Sequence, residues 1–225
     1  IHEISFPHAE AQADGPIIQL ANIESINKGI NLKKIIDISK KIRDYNSEIG
    51  LCLMGYLNNL FIYGIEKFAK DITGIIDAVI CVDLPSDVVE EKRLRDSLKK
   101  ENIALIKLIT PTTSDERIKE IVKDAEGFIY SVNVEGQTGV KSANLDKVNL
   151  QIEKIKKYTT IPVVSGFGIK NEDDVKAFSK SKADGIVLGS AIVNEIQKKS
   201  SETMDKHIVA NFINDYCKKL INKLN

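Results

Sequence analysis

Two carboxylates near the start of the chain are the first residues whose placement suggests chemistry. Glu3 stands inside the apolar, strand-like run His2-Glu3-Ile4-Ser5-Phe6, and Asp14 closes an irregular loop at Asp14-Gly15-Pro16. A carboxylate among apolar strand residues is expensive to bury unless it is used. A carboxyl whose pKa is raised by apolar surroundings can both give and take a proton. A second carboxylate, better hydrated on a loop, stays ionised and can steady a developing positive charge. The same residues also fit a plainer reading: Glu3 as an exposed strand end, and Asp14 as an ordinary turn acid before Gly-Pro.

Late in the chain, two loops carry residues suited to an anion. Strand-like runs end in VVSGFGIKN, 163–171, and IVLGSAIVN, 186–194, and each places glycine and serine just before a helical pattern. Backbone N–H groups at a helix N-terminus, approached closely where glycine leaves room, make an anion site. Gly-Phe-Gly alone also fits a tight turn, but two such loops on consecutive final strands point to phosphate. A third loop, VEGQTGVKSA at 134–143, reads as a lid that adds N–H donors and a hydroxyl. Competing signatures are missing. No Gly-x-Gly-x-x-Gly follows the first strand, and there is no Walker-type Gly-Lys-Ser/Thr. His2, His8 and His207 are too few and too scattered for a metal site or a triad, so no metal is expected.

These residues need a scaffold, and the apolar pattern supplies one. Strand-like runs are expected at 2–6, 49–56, 78–83, 103–109, 127–133, 161–166 and 184–189. Helical patterns lie between them. One is 115–125, with Ile118, Ile121 and Val122 on one face; another is 171–182, with acids in its first turn. The last is 204–223, with an apolar stripe of Ile208, Phe212, Ile213, Tyr216, Leu220 and Ile221. Repeated β-then-α units predict a parallel sheet with helices outside it. No linker or composition break interrupts the 225 residues, so a single domain over 1–225 is expected. Seven strands fit an open doubly wound sheet, or an eight-stranded barrel lacking one. The terminal loops favour a (β/α)8 TIM barrel, which holds phosphate after its last two strands.

Bulk properties narrow the partners. Lys and Arg total 32, as do Asp and Glu, which leaves no basic footprint for nucleic acid or an anionic membrane. No apolar run reaches the length of a membrane span. Cys52, Cys81 and Cys217 are odd in number and unpatterned, and Cys52 and Cys81 lie in apolar runs. They read as buried small hydrophobes in a reducing, cytoplasmic compartment.

Taken in order, these segments resemble the α subunit of tryptophan synthase. EISFPHAEAQADGPIIQ, 3–19, is similar to the family's Glu-x-Gly-x-Pro-Phe-Ser-Asp-Pro-x-Ala-Asp-Gly-Pro signature, and LMGYLNNLFIYGIEKF, 53–68, to its Met-x-Tyr-x-Asn segment. VDLP at 82–85, LITPTTSDERI at 108–118, GFIYSVNVEGQTG at 127–139, VSGFGI at 164–169 and LGSAIV at 188–193 follow with family-like spacing.

The resemblance implies a phosphate-binding (β/α)8 barrel that cleaves indole-3-glycerol phosphate to indole and glyceraldehyde 3-phosphate. It implies that Glu3 is the acid/base carboxylate, that Asp14 holds the indole N–H, and that Tyr130 matches a tyrosine near the glutamate. The phosphate would be held by Thr138 of the lid, Gly139, Gly166, Gly168, Gly189 and Ser190. The indole pocket would be lined by Met54, Tyr56, Ile80, Leu108, Phe167 and Val187. The implied partner is the tryptophan synthase β subunit in an α2β2 complex. Pyridoxal phosphate would belong to that subunit and no cofactor to this chain.

The chain departs from the signature at Ser5, where the family has glycine, and at Glu10 and Ala11, where it has aspartate and proline. In the family these last two positions sit in the loop that touches the β subunit. Only two residues precede Glu3, where the family has a further βα unit. The expectation is a barrel lacking its first strand-helix unit, with open edges near Glu3 and Leu188. Two other readings remain open at this point. One is a different phosphate-binding TIM-barrel enzyme, and the other is a non-catalytic allosteric partner or incomplete fragment.

Overall fold

The structure, a computed structural model, describes residues 1–132, 142–166 and 172–224. The chain forms two compact units, Ile1–Leu108 with Glu120–Ile129, and Ile109–Lys119 with Tyr130–Asn225. The first unit opens with β1 (His2–Ser5), α1 (Pro16–Asn27), α2 (Leu32–Tyr45) and β2 (Leu51–Gly55). It continues through α3 (Leu57–Tyr63), α4 (Ile65–Asp71), β3 (Ala78–Cys81), α5 (Val89–Lys100) and β4 (Ala104–Leu105). Next come β5 (Lys107–Ile109), α6 (Asp115–Lys123) and β6 (Ile129–Val132), where the chain passes between units. The second unit holds α7 (Ser142–Lys156), β7 (Val163–Gly166), α8 (Glu172–Phe178), β8 (Gly185–Val187), α9 (Ser190–Glu202) and α10 (Lys206–Ile221).

Two four-stranded sheets result, in the orders β1-β2-β3-β4 and β5-β6-β7-β8. Pairings β1–β2, β2–β3, β3–β4 and β7–β8 are all parallel. The expected run 103–109 proves to be two strands. Its first part pairs with β3, and the Ile106 N–H still reaches Val79 O at 2.9 Å. Its second part joins the other sheet. The change of partner, not a break in the apolar pattern, divides the run.

Burial explains the elements. All four residues of β3 are buried, as expected of a parallel strand covered on both faces. In α2 the buried residues are Leu32, Ile35, Ile36 and Ser39, one stripe at helical spacing, and the Asn31 side chain caps the helix by accepting from the Lys34 N–H. Gly64, at φ +90°, lets α3 stop and α4 begin at once. The core of the first unit gathers Phe6, Leu51, Leu53, Leu60, Ile65, Phe68, Val79, Leu94 and Leu98. Cys52 and Cys81 are buried within the sheet. Loss of hydration pushes both thiols up, so they stay protonated and pack as small apolar groups, as their settings in the sequence suggested. The stripe of α10 is only partly covered: Leu220 is fully buried, while Ile208 and Ile221 are exposed, because the helix packs chiefly on α9 and α8. Among the described residues, no helix is long and apolar enough to cross a membrane.

One polar device occurs once in each unit. Asp77, just before β3, accepts from the first N–H of β2 at Leu51 (2.7 Å) and pairs with Arg43 of α2 (2.6 Å). Asp184, just before β8, accepts from the first N–H of β7 at Val163 (2.7 Å) and pairs with Lys156 of α7 (2.8 Å). In both, an acid ties a strand's start to the preceding strand and to the helix before that strand, fixing the ends opposite the loops of interest.

A second ionic contact lies inside the first unit. Lys107 of β5 and Glu91 of α5 are each 4% exposed and directly paired. Arg95 lies 3.3 Å from the same carboxylate and 3.1 Å from Asp124. Removing one member of a buried pair strands the other charge and typically costs about 3–5 kcal/mol, whereas replacing both with apolar groups can be neutral. Lys107→Leu alone, which leaves Glu91 only the more distant Arg95, is therefore expected to destabilise the protein by up to about that amount. Combining it with Glu91→Leu should recover most of the loss in a urea titration. Equal destabilisation by the single and double variants would show that packing, not charge, holds this contact.

Candidate active site

β1 runs parallel to β2, with Glu3 opposite Cys52 and Ser5 opposite Met54. This register makes Glu3 a side chain of the sheet's edge strand. The residue as a whole is exposed to solvent along this strand. Protein still crowds its carboxyl. Lost hydration is the larger influence and repulsion from the Asp14 carboxylate the smaller, and together they push its pKa up to about 7. Water that reaches the group screens part of this shift.

The loop after β1 brings Asp14 to the same region. Phe6 begins it, 1% exposed and edge-on to Phe68. Phe6 fits because residue 55 is glycine: a Cβ there would lie 2.0 Å from the ring. The remainder is braced by polar groups. The Tyr56 hydroxyl donates to Asp14 Oδ2 and accepts the Ala13 N–H, both at 3.1 Å. Asn59 Nδ2 donates to Pro7 O at 3.1 Å, and Asn22 Oδ1 accepts the His8 N–H at 3.1 Å. Gln19 Nε2 donates to Asp14 O at 2.9 Å and Ala11 O at 3.2 Å.

Burial raises the pKa of Asp14 also, opposed by the Tyr56 hydrogen bond, which lowers it. Tyr56 is 6% exposed. Its own pKa is pushed up, first by burial and then by the Asp14 charge, so it remains a donor. Glu3 thus senses the Asp14 charge, and only Asp14 is anchored by a phenol.

The other residues singled out from the sequence fall into separate groups. Met54 and Ile80 face each other in the β2–β3 register, Ile80 fully buried and Met54 half-buried. Leu108 lies half-buried in β5. In the second unit, Tyr130 stands on β6 and Gly166 on β7, and a Cβ at Gly166 would lie 2.3 Å from the Tyr130 ring. Gly166 therefore has a packing reason to be glycine, which the sequence reading did not supply. It registers beside Val187 of β8. Gly189 precedes the first turn of α9, with open space where a Cβ would be, and Ser190 is the helix's first residue. Thr138, Gly139, Phe167 and Gly168 lie outside the described residues, as do residues 134–141 of the proposed lid. His8, Asn59, Asn22 and Gln19 were not singled out from the sequence as site residues. The one signal available was a cluster of amide side chains around a loop with no apolar periodicity of its own.

A sequence model of the tryptophan synthase alpha chain family matches residues 1–222. The tryptophan synthase alpha chain of Erythrobacter litoralis is 38% identical over 205 residues, covering 91% of this chain and 78% of that protein. The one from Phenylobacterium zucineum is 39% identical over 197 residues, covering 87% and 70%. Among solved structures, tryptophan synthase subunit alpha from Legionella pneumophila superposes with a TM-score of 0.86 at 27% identity, covering 99% of this chain and 80% of that one. A mutant alpha-subunit from Pyrococcus furiosus gives 0.84 at 28%, covering 98% and 85%. The two parallel sheets with their helices are those of a TIM-barrel-type α/β fold. By family model, by relatives and by fold, this chain belongs to the tryptophan synthase alpha chain family.

Proposed function

We propose that Glu3 and Asp14 are the catalytic carboxylates of this lyase. As a tryptophan synthase alpha chain, the protein cleaves indole-3-glycerol phosphate to indole and glyceraldehyde 3-phosphate in tryptophan biosynthesis. In this retro-aldol step the bond from indole C3 to the glycerol side chain breaks. C3 must first gain a proton, which leaves the ring nitrogen positive. The adjacent glycerol hydroxyl must lose a proton as its oxygen becomes the aldehyde carbonyl. The electrons of the breaking bond then return to the ring and restore indole.

Each need has a matching group. Glu3, with its pKa about 7, is populated in both protonation states near neutrality, and can give a proton to C3 and take one from the hydroxyl. Asp14, held by Tyr56, accepts the ring N–H and steadies its positive charge. Tyr130 is assigned to the catalytic set from the family resemblance. Gly166, Gly189 and Ser190, with Thr138, Gly139 and Gly168, would take the phosphate. The exposed start of α9 offers free N–H groups for it. Met54, Tyr56, Ile80, Leu108, Phe167 and Val187 would line the indole pocket. Every proton has a side-chain carrier, so the step asks for no cofactor in this chain. The indole would pass to a pyridoxal-phosphate β subunit in an α2β2 complex, in the cytoplasm. The observation that carries this reading is the coupling of a near-neutral Glu3 to a phenol-anchored Asp14.

Indole release from indole-3-glycerol phosphate, measured with and without a β subunit, tests it. Glu3→Gln and Asp14→Asn are each expected to lower kcat by about 10²–10⁴-fold. Full activity in Glu3→Gln would remove Glu3 from the mechanism.

The raised pKa has a separate signature. The folded protein holds the Glu3 proton more tightly than the unfolded chain does. Its contribution to stability is present below the ordinary carboxylate range and is lost as pH rises through about 7. The melting temperature of Glu3→Gln, relative to wild type, should therefore rise between pH 5 and pH 8. A difference that does not change with pH would rule out the shifted carboxyl.

A further inference from the structure

We propose that His8, held by Asn59 and stacked on Tyr56, is a positioning residue that sets the place of Asp14. The proposal rests on the reading of Asp14 as a catalytic carboxylate.

The geometry forms a chain of contacts ending at that carboxylate. The His8 and Tyr56 rings stack with centroids 4.7 Å apart and planes 21° from parallel. His8 Nδ1 lies 2.8 Å from Asn59 Oδ1. Asn59 spends its amide N–H on Pro7 O, so its Oδ1 faces the histidine as an acceptor. Nδ1 must then carry the proton and donate, which fixes the ring's plane. The backbone of His8 is pinned independently, since its N–H donates to Asn22 Oδ1. A ring fixed at both backbone and side chain presents one face to Tyr56.

Tyr56 has its hydroxyl committed to Ala13 and Asp14, so its ring cannot tilt without moving the Asp14 carboxylate. Tyr56 also leads directly from β2 into α3, which anchors its backbone. Without His8 that face of the ring loses its packing, and the place of the hydroxyl is held only by its bonds to Ala13 and Asp14. The histidine thus acts on Asp14 through an aromatic face. Stacking of this kind adds a geometric preference to the burial of the two rings. Misplacing a catalytic group by even a fraction of its contact distance can cost far more in rate.

The test is a set of substitutions in the full chain, with kcat and KM for indole release and the melting temperature measured for each. His8→Ala is expected to lower kcat roughly 10- to 100-fold while KM moves less than about threefold. His8→Phe keeps the stack and should restore most of kcat. Asn59→Ala releases the ring and should lower kcat in the same direction as His8→Ala. In an Asp14→Asn background, His8→Ala should cost nothing further, because the group it positions is gone.

An equal fold-loss from His8→Ala in the wild-type and Asp14→Asn backgrounds overturns the proposal. So does a lowered melting temperature with kcat unchanged. Should His8→Ala fail to fold, Asn59→Ala decides. Loss of kcat at a retained melting temperature supports positioning, and unchanged kcat overturns it. An Asp14→Asn variant as active as wild type would instead sink the reading of Asp14 itself, whatever His8 does.

Discussion

The parallel register of β1 on β2 is the constraint on which the site hangs. Glu3 lies opposite Cys52 and Ser5 opposite Met54, and the Phe6 N–H then bonds Met54 O at 2.9 Å. A slip of one residue would turn Glu3 to the other face of the sheet and carry Phe6 off Gly55. The missing Cβ at Gly55 makes that slip costly, because a ring fits against that position and not against a neighbour with a side chain. Phe6 in turn sets where the loop starts, and the loop's first turn decides whether His8 meets Tyr56. Asp14, eleven residues beyond Glu3 in sequence, is thereby placed by the same register as Glu3.

The two acids differ because their supports differ. Glu3 is held by backbone pairing alone, with no hydrogen-bond donor to its carboxylate among the bonds described, so desolvation and Asp14 dominate its titration. Asp14 sits on irregular backbone yet receives a phenol. A donor to a carboxylate favours its charged form and offsets part of what burial takes away. An edge strand and a loop braced by tyrosine are thus two settings for one kind of group: burial raises both carboxyls, and only for Asp14 does a donor offset part of the rise. An acid/base carboxyl needs the first environment and a charge-stabilising carboxylate the second.

Much of this was legible in the sequence, but not all of it. The β/α alternation followed from apolar runs, and α6 and α10 came out within two residues of the expected ends, at Asp115–Lys123 and Lys206–Ile221. The division at Ile106 was not legible, because an apolar run looks the same whether its strand keeps one partner or changes it. The acids Glu3 and Asp14 stood out because charge in an apolar setting is a local anomaly. His8 and Asn59 did not, because their meeting spans 51 positions and nothing in either one's neighbourhood requires it. Gly166 is the converse case. Its glycine character suggested phosphate, while the structure gives an aromatic neighbour that excludes a side chain there.

α1 shows what the loop asks of its surroundings. Its single buried residue is the polar Asn22, whereas Leu20, Ile23 and Ile26 are 50%, 46% and 38% exposed. A helix placed by hydrophobic burial would show the reverse. Its position is set instead by bonds to the loop: Asn22 takes the His8 N–H, and Gln19 donates to Ala11 O and Asp14 O. Buried polar networks of this kind hold firmly only when every member is satisfied, and an orphaned donor or acceptor costs about 1–3 kcal/mol. The loop, Tyr56, Asn59 and α1 should therefore order together or not at all. A site whose proposed catalytic carboxylate depends on such a unit gains a single well-defined geometry, and its tolerance to substitution is set by hydrogen-bond satisfaction more than by volume.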